Sequence, residues 1–371
     1  MNFFFIEFFL IFCTISFFSL PQSNTKVKIV KGNFLCIKKD TLYMTLVFTF
    51  LGILVTMRSS NVGNDTETYR NLFDDIAYCS SDISEFLLRY EIGYIYLNKF
   101  VSLFCKHTQA IIIVVGVITT VGFYSFINKY SKMKFLSIFM FVLLRYFDQS
   151  MNTLRQTIAL VLLLYAYKYI ENKNIILFSI FVLLAFTFHN TAIIFLLSWF
   201  IVKLLFSTRN IGFLLGGFLL LYIGFDLMFS FLVSTFPVYS YYVDGKYFGE
   251  TRIASILNAF VITCFIILSL FVRRSVGLHL YRKSGCEKML MLVFVGLLIT
   301  ILSFKFNLFD RISIYYNVFM IILIPNTISL IKNNQVRLFL QVLIIFSLSV
   351  YYFCIITYRP EWNRIYPYTF F

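Results

Sequence analysis

QAIIIVVGVITTVGFYSFIN, residues 109–128, runs for twenty residues without one charged side chain. A helix needs about 20 mainly apolar residues to cross a hydrocarbon core of about 30 Å. Lipid offers no partner to an unpaired backbone group, so a run of this kind crosses as a helix. Working outward, further apolar runs occupy 3–20, 41–57, 135–147, 153–170, 174–188, 191–206, 211–227, 253–272, 289–304, 312–331 and 338–356. The pattern predicts an all-α fold, a polytopic transmembrane helical bundle of about twelve spans, with residues 1–371 as one integral membrane domain. The first run carries Glu7, lacks a basic leader and ends without a small-x-small cleavage signal, so a retained first helix is expected.

Composition narrows the function. Hydrophobic residues make up 60% of the chain and charged ones 13%, a membrane balance. The formal charge of +15 does not indicate nucleic acid, because the basic residues are scattered between apolar spans instead of gathering on a soluble surface. The abundant Phe and Tyr fit lipid-facing surface and interfacial belts. Seven cysteines show no ligand spacing, so neither a disulfide framework nor a metal site is expected. No phosphate-cradling or dinucleotide-binding glycine motif occurs, and no cofactor is expected.

The charges report topology. With 21–40 in the cytoplasm, alternation puts 129–134, 171–173, 203–210, 273–288 and 332–337 there too. With span ends included, that face holds 19 basic and 3 acidic residues, and the other face 13 and 14. The positive-inside rule then sends both termini outward. Two outward loops are long, 58–108 and the Tyr-rich 228–252, and a tail of about 357–371 joins them. Within the first loop, the stretch 91–106, which opens with the amphipathic EIGYIYLNKFVSLF, is too polar for a span and suits a re-entrant or interfacial helix.

Polar residues at outer span ends are the candidates for chemistry, because charge in a bilayer is costly. Arg58, Gly63 and Asp65 follow the second span, and Glu91 opens the amphipathic stretch. Asn152, Arg155, Gln156 and Ala159 fall at i, i+3, i+4 and i+7, one polar helical stripe. His189 ends an apolar run, and Asp310-Arg311 heads another. Three arginines on one face suit an anionic lipid headgroup, since the planar guanidinium bonds two phosphate oxygens. Snorkelling is the plainer reading of Arg155, and a structural role the plainer reading of a lone His189.

With these motifs the chain resembles the EpsG family of bacterial exopolysaccharide polymerases, a branch of the Wzy-like group. The shared pattern is Arg58, Gly63, Asp65 and Tyr69; Glu91 and Gly93; the MNxxRQxIA stretch at 151–159; the His189-Asn-Thr-Ala turn; and Trp362 with Pro367-Tyr368. The resemblance implies polymerisation of polyprenyl-diphosphate-linked oligosaccharide units into exopolysaccharide, capsule or O-antigen. The reaction is expected on the outer face of the bacterial cytoplasmic membrane, with flippase and chain-length-regulator partners. In that scheme Arg58, Arg155 and Arg311, with Asn152 and Gln156, bind the diphosphate and sugar. Asp65, Glu91 or His189 takes the acceptor proton. The alternatives are a flippase for the same lipid, which needs polar residues through both membrane halves, and a non-catalytic component of a synthesis complex. The scheme needs no metal: polymerisation by membranes is expected to persist in a divalent-cation chelator, and its loss there would require a bound ion.

Overall fold

The computed structural model describes residues 25–28, 34–37, 39–78, 84–87, 89–235, 253–359 and 361–371. The expected first span at 3–20, the N-terminus and most of the loop 228–252 lie outside the described residues. Their named elements are helices apart from an antiparallel strand pair, β1 (Thr25–Lys28) with β2 (Phe34–Ile37), inside the expected loop 21–40.

Four helices are long and apolar enough to cross a membrane: Gln109–Tyr130, Ile253–Val276, Phe309–Ser329 and Asn334–Tyr358. A fifth results if Thr208–Ile223 and Phe225–Phe231, bent by 60°, form one broken span. The described residues therefore do not reach the expected count of about twelve. The cause is local, because an apolar run need not be one continuous helix. The run at 135–147 stops as a helix at Leu143, since Arg145 takes left-handed backbone at φ 67° and the chain restarts at Tyr146. The run at 174–188 ends at an extended His189, followed by 3₁₀ turns over Asn190–Leu197.

The chain divides into two compact units, Met1–Ile193 with Leu338–Phe371, and Ile194–Arg337. In the first unit the helices are α1 (Lys39–Thr56), α2 (Thr66–Tyr78), α3 (Ser84–Leu87), α4 (Ile92–Ser102), α5 (Gln109–Tyr130), α6 (Lys134–Leu143), α7 (Tyr146–Asn152), α8 (Leu154–Glu171) and α9 (Ile175–Phe188). Most of Asn334–Tyr358 also belongs to this unit.

The expected loop 58–108 is largely helical. Helix α2 buries Tyr69, Leu72, Phe73 and Ile76, an i, i+3, i+4, i+7 face, while Glu67, Asp74 and Asp75 stay outside. That face packs with Tyr94, Ile95 and Val101 of α4, with Ile111, Ile112 and Val115 of α5, and with Leu154 and Ile158 of α8. Eleven residues give α4 a length of about 16 Å, too short to cross a bilayer. The amphipathic stretch is thus a packed, non-spanning helix.

Residues 361–371 fold back onto the chain that leaves α1. Phe371 N donates to Met57 O (2.8 Å), Ser59 N to Thr369 O (3.0 Å) and Gly63 N to Arg364 O (2.9 Å). The Arg145 guanidinium donates to Trp362 O at 3.0 Å and pairs with Asp148 at 3.4 Å; the buried Asp148 also accepts from Tyr352 Oη at 3.1 Å. Burial pushes the Asp148 carboxyl up to about 6 against the opposing effects of Arg145 and Tyr352.

In the second unit the helix Cys286–Leu302 packs on Phe309–Asn317, where a side chain at Gly296 would meet Asn317 Oδ1 at 2.1 Å. Glu287 holds Arg273 at 2.8 and 3.0 Å and accepts from Phe206 N at 3.0 Å. This unit has its own buried polar clasp.

Gly63 combines left-handed backbone with close neighbours. Its φ is +90°, and an added Cβ would lie 2.9 Å from Met151 O and 2.7 Å from Thr66 Oγ1. Gly63→Ala is expected to lower stability by about 1–3 kcal/mol through strain alone. Thermal unfolding of purified protein measures this, and an unchanged midpoint would refute it.

Candidate active site

Glu91 occupies the turn before α4 with extended backbone (φ −69°, ψ 142°). Arg155 sits in the first turn of α8, and His189 is the residue at which α9 ends. Three segments distant in sequence therefore deliver one acid, one guanidinium and one imidazole. Gly93 makes the approach feasible: a Cβ there would meet Thr187 Oγ1 at 2.5 Å and Thr187 O at 2.8 Å, so only glycine lets α4 come this close to the end of α9.

Both carboxylate oxygens of Glu91 are used. One accepts a charge-assisted hydrogen bond from Arg155 Nη1, and the other faces His189 Nδ1 at 3.0 Å. A carboxylate only accepts, so Nδ1 donates; in the neutral imidazole Nε2 then presents its lone pair. Nε2 is buried and has no partner among the described residues, as is Arg155 Nε. Buried unsatisfied polar atoms side by side in a polar cluster are where a ligand would supply the missing bonds. Arg155 also lies 5.0 Å from the ring centroid of Tyr90, a cation–π contact. Burial pushes the Glu91 carboxyl up, but the His189 bond and the Arg155 charge together outweigh it and hold the group below the usual carboxylate range.

The other sequence candidates take different places. Arg58 is fully buried: it donates through Nη1 to Val55 O, through Nη2 to Met151 O at 3.2 Å and through Nε to Thr66 Oγ1 at 3.3 Å. Burial lowers it to about 10, so it remains charged at neutral pH. Arg155 is 24% exposed and Arg58 not at all, so Arg155 keeps an open edge while Arg58 pins the surrounding backbone.

Asn152 does not share a helical stripe with Arg155, because the helix breaks at Thr153 (φ −98°, ψ 66°) between them. Asn152 instead accepts from Asn64 N at 2.6 Å and donates to Asp148 O and Asn363 O. Gln156 is buried in α8. Asp65 is exposed just before α2, one turn from Tyr69. Arg311 is exposed at the head of Phe309–Asn317 in the second unit, beside Asp310, which accepts from Ser255 Oγ at 2.6 Å. Among the described residues no group of three His, Cys, Asp or Glu side chains is placed to hold a metal.

Tyr90 and the Arg145–Asp148–Tyr352 cluster went unread in the sequence. Arg145 and Asp148 at i, i+3 were a legible signal, but Tyr352 is 204 residues away and only folding brings it there.

An arginine and a histidine held by one carboxylate, in a chain of apolar spanning helices, define a polytopic membrane protein with a partly buried polar site. The chain belongs to the EpsG family, whose model matches residues 41–370. No curated protein and no solved structure matches it. Membership suggests a polysaccharide-polymerase-like membrane protein.

The Glu91 pair carries a pH signature. A carboxyl whose folded value is depressed contributes stability above its unfolded value and loses it as pH falls through the folded one. Glu91 should therefore make thermal midpoints drop below about pH 4, after the rise that the raised Asp148 carboxyl gives as pH falls through about 6. Glu91→Gln is expected to remove part of that acid-side drop; identical acid profiles for the two proteins would sink the assignment.

Proposed function

We propose that this chain is a membrane glycosyltransferase that polymerises polyprenyl-diphosphate-linked oligosaccharide units on the outer face of the cytoplasmic membrane. The observation that carries the reading is the shared Glu91 carboxylate, with His189 Nε2 left unpartnered and Arg155 left partly exposed. A hydroxyl of the acceptor unit attacks the anomeric carbon of the donor. Its proton passes to His189 Nε2 as the new carbon–oxygen bond forms. The bond to the diphosphate breaks, and its electron pair leaves on a phosphate oxygen.

Of the three base candidates, geometry favours His189. A carboxylate held below its usual range is a weak base, whereas Glu91 is well placed to fix the imidazole tautomer and to support the imidazolium that forms. Arg155 gives one edge of its fork to Glu91 and keeps further N–H groups for the leaving diphosphate, in a site poor in water where such bonds are stronger than in bulk. Arg58 acts on this site through the backbone it pins.

In cells with matched membrane levels, His189→Ala and Arg155→Ala are expected to accumulate single lipid-linked units while wild type makes long chains. A loss of about 10²–10⁴-fold in polymerisation rate is the scale for a general base. Arg155→Lys should be poorly tolerated, because a lysine lacks the fork. Units retained on the cytoplasmic leaflet would instead make the chain a flippase and overturn the reading.

A further inference from the structure

Beside the candidate site lies an open-mouthed cavity of about 620 Å³, within the range of about 300–1,000 Å³ usual for small-ligand sites. Among the described residues its walls come from three neighbouring pieces of the first unit. Helix α2 supplies Asn71 and Asp75 at i, i+4, hence one face; α3 supplies Glu85; and the turn into Glu91 supplies Arg89 and Tyr90. Leu72 and Phe86 add apolar surface. No hydrogen bond or ion pair among the described residues engages the side chains of Asn71, Asp75, Glu85 or Arg89. The Tyr90 ring belongs to both places: it lines the cavity and faces the Arg155 guanidinium at 5.0 Å.

We propose that this cavity is the glycan subsite of the proposed polymerase, binding the sugar next to the diphosphate as a neutral or amino-sugar oligosaccharide. The inference rests on the polymerase reading for its place in the reaction, but the binding it claims can be measured apart from it. Sugars present hydroxyl groups in many directions over a faintly apolar ring face. Carboxylates and amides accept and donate to such hydroxyls, a guanidinium donates to them, and an aromatic ring covers the ring face. The walls combine these groups.

Charge sets the selectivity. Among the described lining residues, two carboxylates against one guanidinium leave a net negative charge, so a diphosphate or an acidic sugar is repelled from it. Arg155, on the other side of the contact with Tyr90, is the group that attracts phosphate. The two halves of a lipid-linked donor are thereby sorted, diphosphate to Arg155 and sugar to the cavity, and the anomeric carbon between them falls in the neighbourhood of Glu91, which follows Tyr90 directly in the chain.

The test uses full-length protein in lipid nanodiscs and oligosaccharides from partial hydrolysis of the host strain's own surface polysaccharide, with binding followed by saturation-transfer NMR. Wild type should bind neutral or amino-sugar fragments. The Asn71→Ala/Asp75→Asn double variant should bind them about tenfold more weakly, the scale of one or two lost hydrogen bonds. Arg89→Gln, on a different wall, should weaken binding similarly, which guards against misfolding of one variant. Inorganic pyrophosphate at saturation should leave the bound fragment in place, and a uronic-acid fragment should not compete. No binding to wild type, equal binding to all variants, or displacement by pyrophosphate would each overturn the proposal. Fragment binding that survives alongside normal polymerisation by His189→Ala would keep the subsite and refute the polymerase mechanism instead.

Discussion

One carboxylate, Glu91, holds the polar centre of the first unit together. With 9% of its side chain exposed, it has given up most of its hydration and needs partners for both oxygens. Arg155 and His189 supply them, and each partner belongs to a different helix terminus. Removing any one of the three would leave a buried donor or acceptor unsatisfied, which is why the arrangement behaves as a unit and not as three independent residues. The same constraint explains Gly93, since a side chain there would force α4 off the end of α9 and take Glu91 out of reach of His189.

Around this centre the frame is built from backbone carbonyls captured by buried cations and amides. Arg58 gathers Val55, Met151 and Thr66, Asn152 ties Asn64 to Asn363, and Arg145 reaches Trp362. Irregular backbone beside a membrane must have its polar groups answered by protein. Folding residues 361–371 onto the segment after α1 answers them in both directions: the segment's N–H groups find tail carbonyls, and the tail's Phe371 N–H finds Met57 O. Arg58 and Gly63 thus hold this frame together.

Comparison of expectation with structure follows the same division. Apolar runs located the long helices at 109–130, 253–276 and 334–358 well, and helical periodicity explains the buried face of α2. Runs interrupted by backbone events were misjudged, because left-handed Arg145 and extended His189 are not visible in hydrophobicity. The polar stripe through Asn152 and Arg155 failed for a like reason, as the break at Thr153 turns Asn152 toward the tail.

By itself the sequence determined that this is a helical membrane chain of the EpsG type and that Glu91, Arg155 and His189 are among its chemically interesting residues, because apolar length, charge placement and motif order are local properties. Only the tertiary structure decided which of those residues meet. It joined Glu91 to partners 64 and 98 residues away, withdrew Arg58 from solvent, and brought Tyr90 to both the arginine and the cavity. Those outcomes depend on the directions in which helix ends point and on how closely backbones approach, and neither is encoded in any single stretch of the chain.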